Sequence, residues 1–149
     1  MTMESLKIGR GGVGLRLLSM AMGMFLVFMG INKVDWLTDS SYLVWQLEQW
    51  RELTSGLSSR YIDTVGLPAA PAFSRLVPLG ELASGVALIV GFRIHFAAAV
   101  ALVMVLNFHF ASGLIFTAGY LTNGYGPPVI GSLLALSIGG RRLPWVLRG

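Results

Sequence analysis

The polar side chains inside stretches that are otherwise apolar include Arg16, Glu81, Asn107, His109, Ser112 and Thr117. Glu81 is the only acid in "PLGELASGVALIVGF", Pro78 to Phe92. A charge at the middle of an apolar helix costs about 2.5–3.5 kcal/mol on insertion scales, so it needs a partner or a task. Three states are open to Glu81: an internal ion pair, a neutral protonated acid, or a proton or quinone site. The expected partner of an ionised Glu81 is Lys33, at the end of the first apolar block. Helical side chains lean toward their own N-terminus, so on antiparallel helices Lys33 and Glu81 lean toward each other. Arg16 leans the other way and starts roughly 9 Å deeper at the helical rise. An axial offset of about 15 Å between Lys33 and Glu81 leaves extended side chains, helix tilt or a bridging water to close it.

Asn107 lies at a depth similar to Glu81 on the third apolar block, and a hydrogen bond between the two is expected. His109, two residues on, lies on another face, and a lone histidine there reads first as a packed hydrogen-bonder. Arg16 is close enough to the start of its block to snorkel to the headgroups, with a functional role as the alternative.

Other chemistries have little to stand on. The chain has no cysteine, which excludes disulfides, iron–sulfur clusters, c-type haem attachment and thiol chemistry. A bis-histidine haem would need His95 and His109, which stand ~21 Å apart along one helix. No His, Asp or Glu set has metal-ligand spacing. "GRGGVG" at residues 9–14 has no strand before it and is not a nucleotide fingerprint. No cofactor is therefore bound by a recognisable motif, and a quinone is possible.

The elements that must position these residues are transmembrane helices. Of the 149 residues, 54% are hydrophobic and 12% charged, with a mean hydropathy of +0.70. A soluble domain carries about 25% charged residues, so too few remain here to coat a globule. The apolar residues come in blocks rather than at helical spacing. A single membrane domain is expected, all-α, with spans over about 12–32, 75–92, 94–117 and 127–140. The first block is too long for a usual signal-peptide core, is interrupted by Arg16, and lacks an Ala-x-Ala site. The last is short for a ~30 Å hydrocarbon core, so a re-entrant segment is its alternative. Between the first two spans, "SSYLVWQLEQWREL" places Leu43, Leu47, Trp50 and Leu57 on one face, giving an amphipathic helix over Ser40–Leu53 outside the spans. "GLPAAPAF" then reads as an extended lead-in.

The net charge of +4 belongs to topology rather than to nucleic-acid binding, because the basic residues cluster at the ends of apolar blocks. Lys7, Arg10 and Arg16 stand at one end of the chain, Arg141, Arg142 and Arg148 at the other, and Arg93 in the short turn between the second and third spans. The positive-inside rule then puts both termini and that turn in the cytoplasm, which four crossings satisfy and three do not. Lipid is the first partner. Small residues four apart, Gly131/Ala135/Gly139 on the last span, Ser19/Gly23 on the first and Gly80/Ser84 on the second, allow close helix packing.

The order "GLRLLSMAMGMFLVFMGINKV", "GLPAAP", "GELASGVALIVGFRIHFAAAVAL" and a Gly-Arg ending resembles the DoxX/DoxD family of small four-helix membrane proteins, over most of Gly14 to Arg142. The matching positions are Arg16, Gly30 and Lys33 on the first helix and Glu81, Gly85 and Gly91 on the second. The family pattern often closes on an Asp after the Gly-Arg. Here "GGRRLPWVLRG" has none, so no role of that Asp carries over. The resemblance implies an accessory subunit of a redox-associated, quinone-linked complex in the cell's inner membrane, with other membrane subunits as partners. A small quinone-reducing subunit of the thiosulfate:quinone oxidoreductase type is one alternative, and a transporter or proton path through Glu81 another.

Overall fold

The computed structural model describes residues 3–141 and 143–147, with side chains from Gly12 onward. Lys7, Arg10, Arg142 and Arg148, on whose side chains the charge reading partly rests, lie outside what is described. Six α-helices and no strand occur among the described residues: α1 Met3–Ile31, α2 Ser41–Leu53, α3 Leu57–Tyr61, α4 Ala70–Val90, α5 Ile94–Ala111 and α6 Pro127–Gly139. Gly12–Ile31, Ala70–Val90 and Ile94–Ala111 are long and apolar enough to cross a membrane. At 13 residues, α6 spans about 20 Å.

The long helices carry their polarity inward. On α1 the exposed stripe is Leu17, Met20, Met24, Phe28 and Ile31, whereas the buried one includes Arg16, Ser19, Gly23, Leu26 and Gly30. On α4 Leu76, Leu79, Val86 and Val90 face out, and Ser74, Pro78, Glu81 and Ser84 face in. An outer face of large apolar residues over an inner face of small and polar ones suits hydrocarbon as the surrounding solvent.

The main contact is α1 against α4. A Cβ on Gly23 would stand 2.7 Å from the Gly85 carbonyl oxygen, and one on Gly85 would stand 2.8 Å from that of Gly23. Only two glycines allow this approach, and it sets the antiparallel register, with Gly30 against Leu82 further along. α5 packs on α6 through Ala97, Ala98, Ala101, Leu133 and Leu136, all in one buried cluster. Between α4 and α5 the chain reverses at Gly91, whose φ of +82 closes the helix.

α2 lies across the end of the bundle. It buries Leu43 and Leu47 against Ile62 and Ala70, with Trp36, Trp50 and Phe73 packed around them. At its start, the Asp39 carboxylate accepts the Ser41 N–H (2.8 Å). That bond holds its carboxyl below the usual aspartate range, at a helix end where the dipole favours an anion.

Several expectations need correction. "GLPAAPAF" is not extended: α4 starts at Ala70, with Pro71 in its first turn, where proline's missing donor costs nothing. α5 stops at Ala111 rather than near 117, because Gly113 takes a φ of +69 and two 3-10 turns follow, Leu114–Phe116 and Ala118–Thr122. Leu57 leaves the apolar face assigned to α2 and starts α3, where it is exposed. The Gly131/Ala135/Gly139 face does not pack as one surface in this chain. Gly131 and Ala135 are exposed, a Cβ on Gly131 would meet nothing, and only at Gly139 would one touch a neighbour, Leu15. Helix azimuth is the reason: Leu133 and Leu136 turn inward and the small residues turn out.

Candidate functional site

Lys33 and Glu81 meet directly. Lys33 Nζ lies 2.8 Å from both Glu81 Oε1 and Oε2 and donates a third bond to the Met29 carbonyl at 3.2 Å. Local chain geometry makes this possible. α1 ends at Ile31 and Lys33 sits in the turn beyond it, so its side chain folds back by about one turn. Glu81 leans the opposite way from the buried face of α4. With the register set at Gly23 and Gly85, no bridging water is needed across the expected offset. The side chains are 13% and 7% exposed. Aromatic faces replace water around the ammonium, with the rings of Phe108 and Trp36 at 5.6 and 5.9 Å. Such a pair is costly to desolvate, and losing one partner costs more than losing both.

The pair forms one wall of a cavity of about 540 Å³. α2 lids it with Gln46, Trp50 and Leu53. α5 contributes Phe108 and His109, Ser112 follows just beyond its end, and Tyr125 stands on the segment before α6. Leu53 and Tyr125 are exposed and frame the opening. Trp50 stands edge-on to Phe108, with centroids 5.9 Å apart. A volume between about 300 and 1,000 Å³, apolar walls and a few convergent polar groups are the usual marks of a small-molecule site.

His109 is a further polar group in the cavity wall. Its Nδ1 is 3.2 Å from Tyr120 Oη, and the two rings meet edge-on at 5.5 Å. Nε2 makes no hydrogen bond among the described residues. The tautomer follows from Tyr120: if Tyr120 donates to Nδ1, Nε2 carries the proton and can donate to a ligand.

Of Lys33, Glu81, Asn107, His109 and Arg16, expected as one intramembrane polar cluster, Lys33, Glu81 and His109 share the cavity wall, and Asn107 and Arg16 lie elsewhere. Asn107 does not bond Glu81. Its amide donates to Tyr61 Oη at 2.6 Å, tying α5 to α3. Two residues on a helix are about 200° apart, so with His109 turned inward Asn107 must turn away. Depth along the helix was the wrong criterion, and azimuth decides. Arg16 sits at the opposite end and does not snorkel. It is 4% exposed and donates to the carbonyls of Leu88 (2.8 Å), Ile89 (2.6 Å) and Trp145 (3.1 Å), while Ser19 also donates to Leu88. It thus closes the C-terminal end of α4, where carbonyls lack helical donors and a cation is favoured.

Residues that sequence reasoning left out of the site are Trp36, Trp50, Phe108 and Tyr120. Trp50 had a signal, its place on the apolar face of an amphipathic helix. Tyr120 had none, since its segment reads only as a turn. Among the described residues no three His, Cys, Asp or Glu side chains gather as a metal-ligand set. Chemically, the cavity offers flat aromatic walls, two separated hydrogen-bond positions at Lys33 and His109, and two groups, Glu81 and His109, able to exchange protons.

No curated protein and no solved structure matches the chain. One family does: the DoxX family model matches residues 14–113, a stretch that includes Arg16, Lys33, Glu81, Asn107 and His109.

Proposed function

Since the chain belongs to the DoxX family, we propose that it is an integral-membrane subunit of a quinone-linked redox complex and that it seats the quinone ring in the cavity beside Lys33 and Glu81. The observation that carries this reading is the pairing of aromatic walls with two separated polar positions in one cavity of about 540 Å³. A quinone is a flat apolar ring with an acceptor carbonyl at each end. Trp36, Trp50 and Phe108 offer surfaces for the ring. Lys33 Nζ and His109 Nε2 offer donors to the carbonyls, Lys33 by sharing hydrogens now held by Glu81 and Met29. When bound, the quinone supplies two-electron acceptor chemistry. The chain's part is to bind and orient the ring, exclude water with α2, and hold protons at Glu81 and His109.

The electrons come from a partner subunit on this reading. With no cysteine and only His95 and His109 as histidines, set ~21 Å apart on α5, the chain cannot assemble a thiolate-held cluster or a bis-histidine haem. The membrane placement proposed is four crossings in the cell's inner membrane, with both termini cytoplasmic and α2 outside. The cationic turn at Arg93 and the basic residues at both ends of the chain support that orientation.

A binding measurement tests the reading. A decyl benzoquinone added to purified protein in lipid nanodiscs is expected to quench tryptophan fluorescence saturably, because Trp36 and Trp50 line the cavity. The Lys33→Met/Glu81→Gln double variant, which removes the polar wall and should melt closer to the wild type than Glu81→Gln alone, should lose saturation. Quenching that stays linear in the wild type, as for random collisions in the bilayer, defeats the proposal.

A further inference from the structure

A second cavity, about 260 Å³, lies on the far side of Trp50 and Phe108, which line both spaces. Its walls come from α2, α4 and α5 and include Leu43, Leu47, Phe73, Val77 and Met104. Its polar side chains, Asn107 and Tyr61, are bonded to each other, so neither offers an unmet donor to a polar ligand. Leu76 and Val103 sit at its rim and are 62% and 67% exposed. Both stand on the outward faces of helices that are long and apolar enough to cross a membrane, so this cavity opens sideways to lipid. The larger cavity opens instead at Leu53 and Tyr125, at the end of the bundle.

The smaller space falls below the roughly 300 Å³ at which self-sufficient ligand pockets begin, and it has no polar group to orient a whole molecule. It suits an extension of something seated next door. We infer that it holds the hydrocarbon chain, alkyl or isoprenoid, of the molecule whose ring occupies the larger cavity. Trp50 and Phe108 meet edge-on with centroids 5.9 Å apart, so their side chains swing apart to let the chain pass, and it reaches the bilayer between Leu76 and Val103. The inference rests on the quinone reading above. Trp50 and Phe108 then act as a closed partition that yields to a methylene chain and retains a ring. The ligand class is a long-chain benzoquinone or naphthoquinone, not a water-soluble one.

The test compares a ring-only dimethoxy-methyl-benzoquinone with its decyl derivative, binding to the full chain in nanodiscs of one lipid composition. The variant is Leu76→Phe/Val103→Phe, which narrows the lipid-side mouth at two exposed positions and touches neither Lys33, Glu81 nor His109. The wild type should bind the decyl compound at least about tenfold more tightly than the ring alone, and the variant should bring the two within about twofold while the ring-only affinity stays put. Partitioning of the tail into lipid is the same for both proteins and cancels in the comparison. A decyl preference that survives in the variant overturns the slot. So does a wild type that binds both compounds equally, in which case the quinone reading stands without it. If neither compound binds the wild type, the quinone reading and the slot fall together.

Discussion

Lys33 and Glu81 form a closed unit: three ammonium hydrogens meet two carboxylate oxygens and one carbonyl. Removing one charge strands the other in a wall of aromatic rings. Glu81→Gln should therefore destabilise the protein by about 3–5 kcal/mol. Glu81→Gln with Lys33→Met should recover part of that loss in detergent melting curves, and strictly additive effects would reject the pair as a coupled unit. Arg16 makes a different demand. It serves three carbonyls at once, a geometry suited to the guanidinium fork and poorly suited to a compact ammonium. Arg16→Met should cost about 1–3 kcal/mol, mainly through Ile89 and Trp145, because Leu88 keeps Ser19 as donor. Arg16→Lys should restore only part. A lysine variant that melts like the wild type would show that charge at this helix end matters and the fork does not.

At the scale of elements, the crossing of α1 and α4 decides where the polar residues meet. It depends on two glycines with carbonyl oxygens under 3 Å from the positions their Cβ atoms would take. Gly85→Leu should force the helices apart and cost about 1–3 kcal/mol or more through overpacking, and it should weaken the Lys33–Glu81 contact by shifting the register. Ala135→Leu is the counterpart on α6. Its position is exposed, so melting of the isolated chain should stay within about 0.5 kcal/mol of wild type. A loss as large as that of Gly85→Leu would mean that α6 buries this face.

For the whole molecule the open quantity is sidedness. The proposed four crossings require both termini on one side, and on the positive-inside rule the basic residues at both ends and in the α4–α5 turn predict that this side is the cytoplasm. The absence of native cysteine makes the measurement direct. A cysteine placed at Gly149 should resist a membrane-impermeant maleimide in intact cells and react after lysis, and one placed at Glu48 on α2 should react in both. Labelling at position 149 from outside would rule out a cytoplasmic C-terminus, and labelling at both positions from outside would rule out the four-crossing arrangement.

How much of this was legible in advance depends on the kind of information each feature needs. The membrane class, the long helices and α2 follow from local composition and period. Lys33 rather than Arg16 as the neighbour of Glu81 also follows from the chain alone, because chirality fixes which way a helical side chain leans and connectivity makes α1 and α4 antiparallel. Azimuth and crossing geometry do not follow. Asn107 and His109 lie at nearly equal depth, and only the packing of α5 against its neighbours turns one toward Tyr61 and the other toward the cavity. Arg16 looked free to reach the headgroups until the end of α4 was placed beside it. The cavity depends on Trp50 and Phe108, two ordinary apolar residues in sequence that meet only once α2 folds across the end of the bundle. Period and lean are properties of one helix, whereas a cavity belongs to the space between helices, and only tertiary packing defines it.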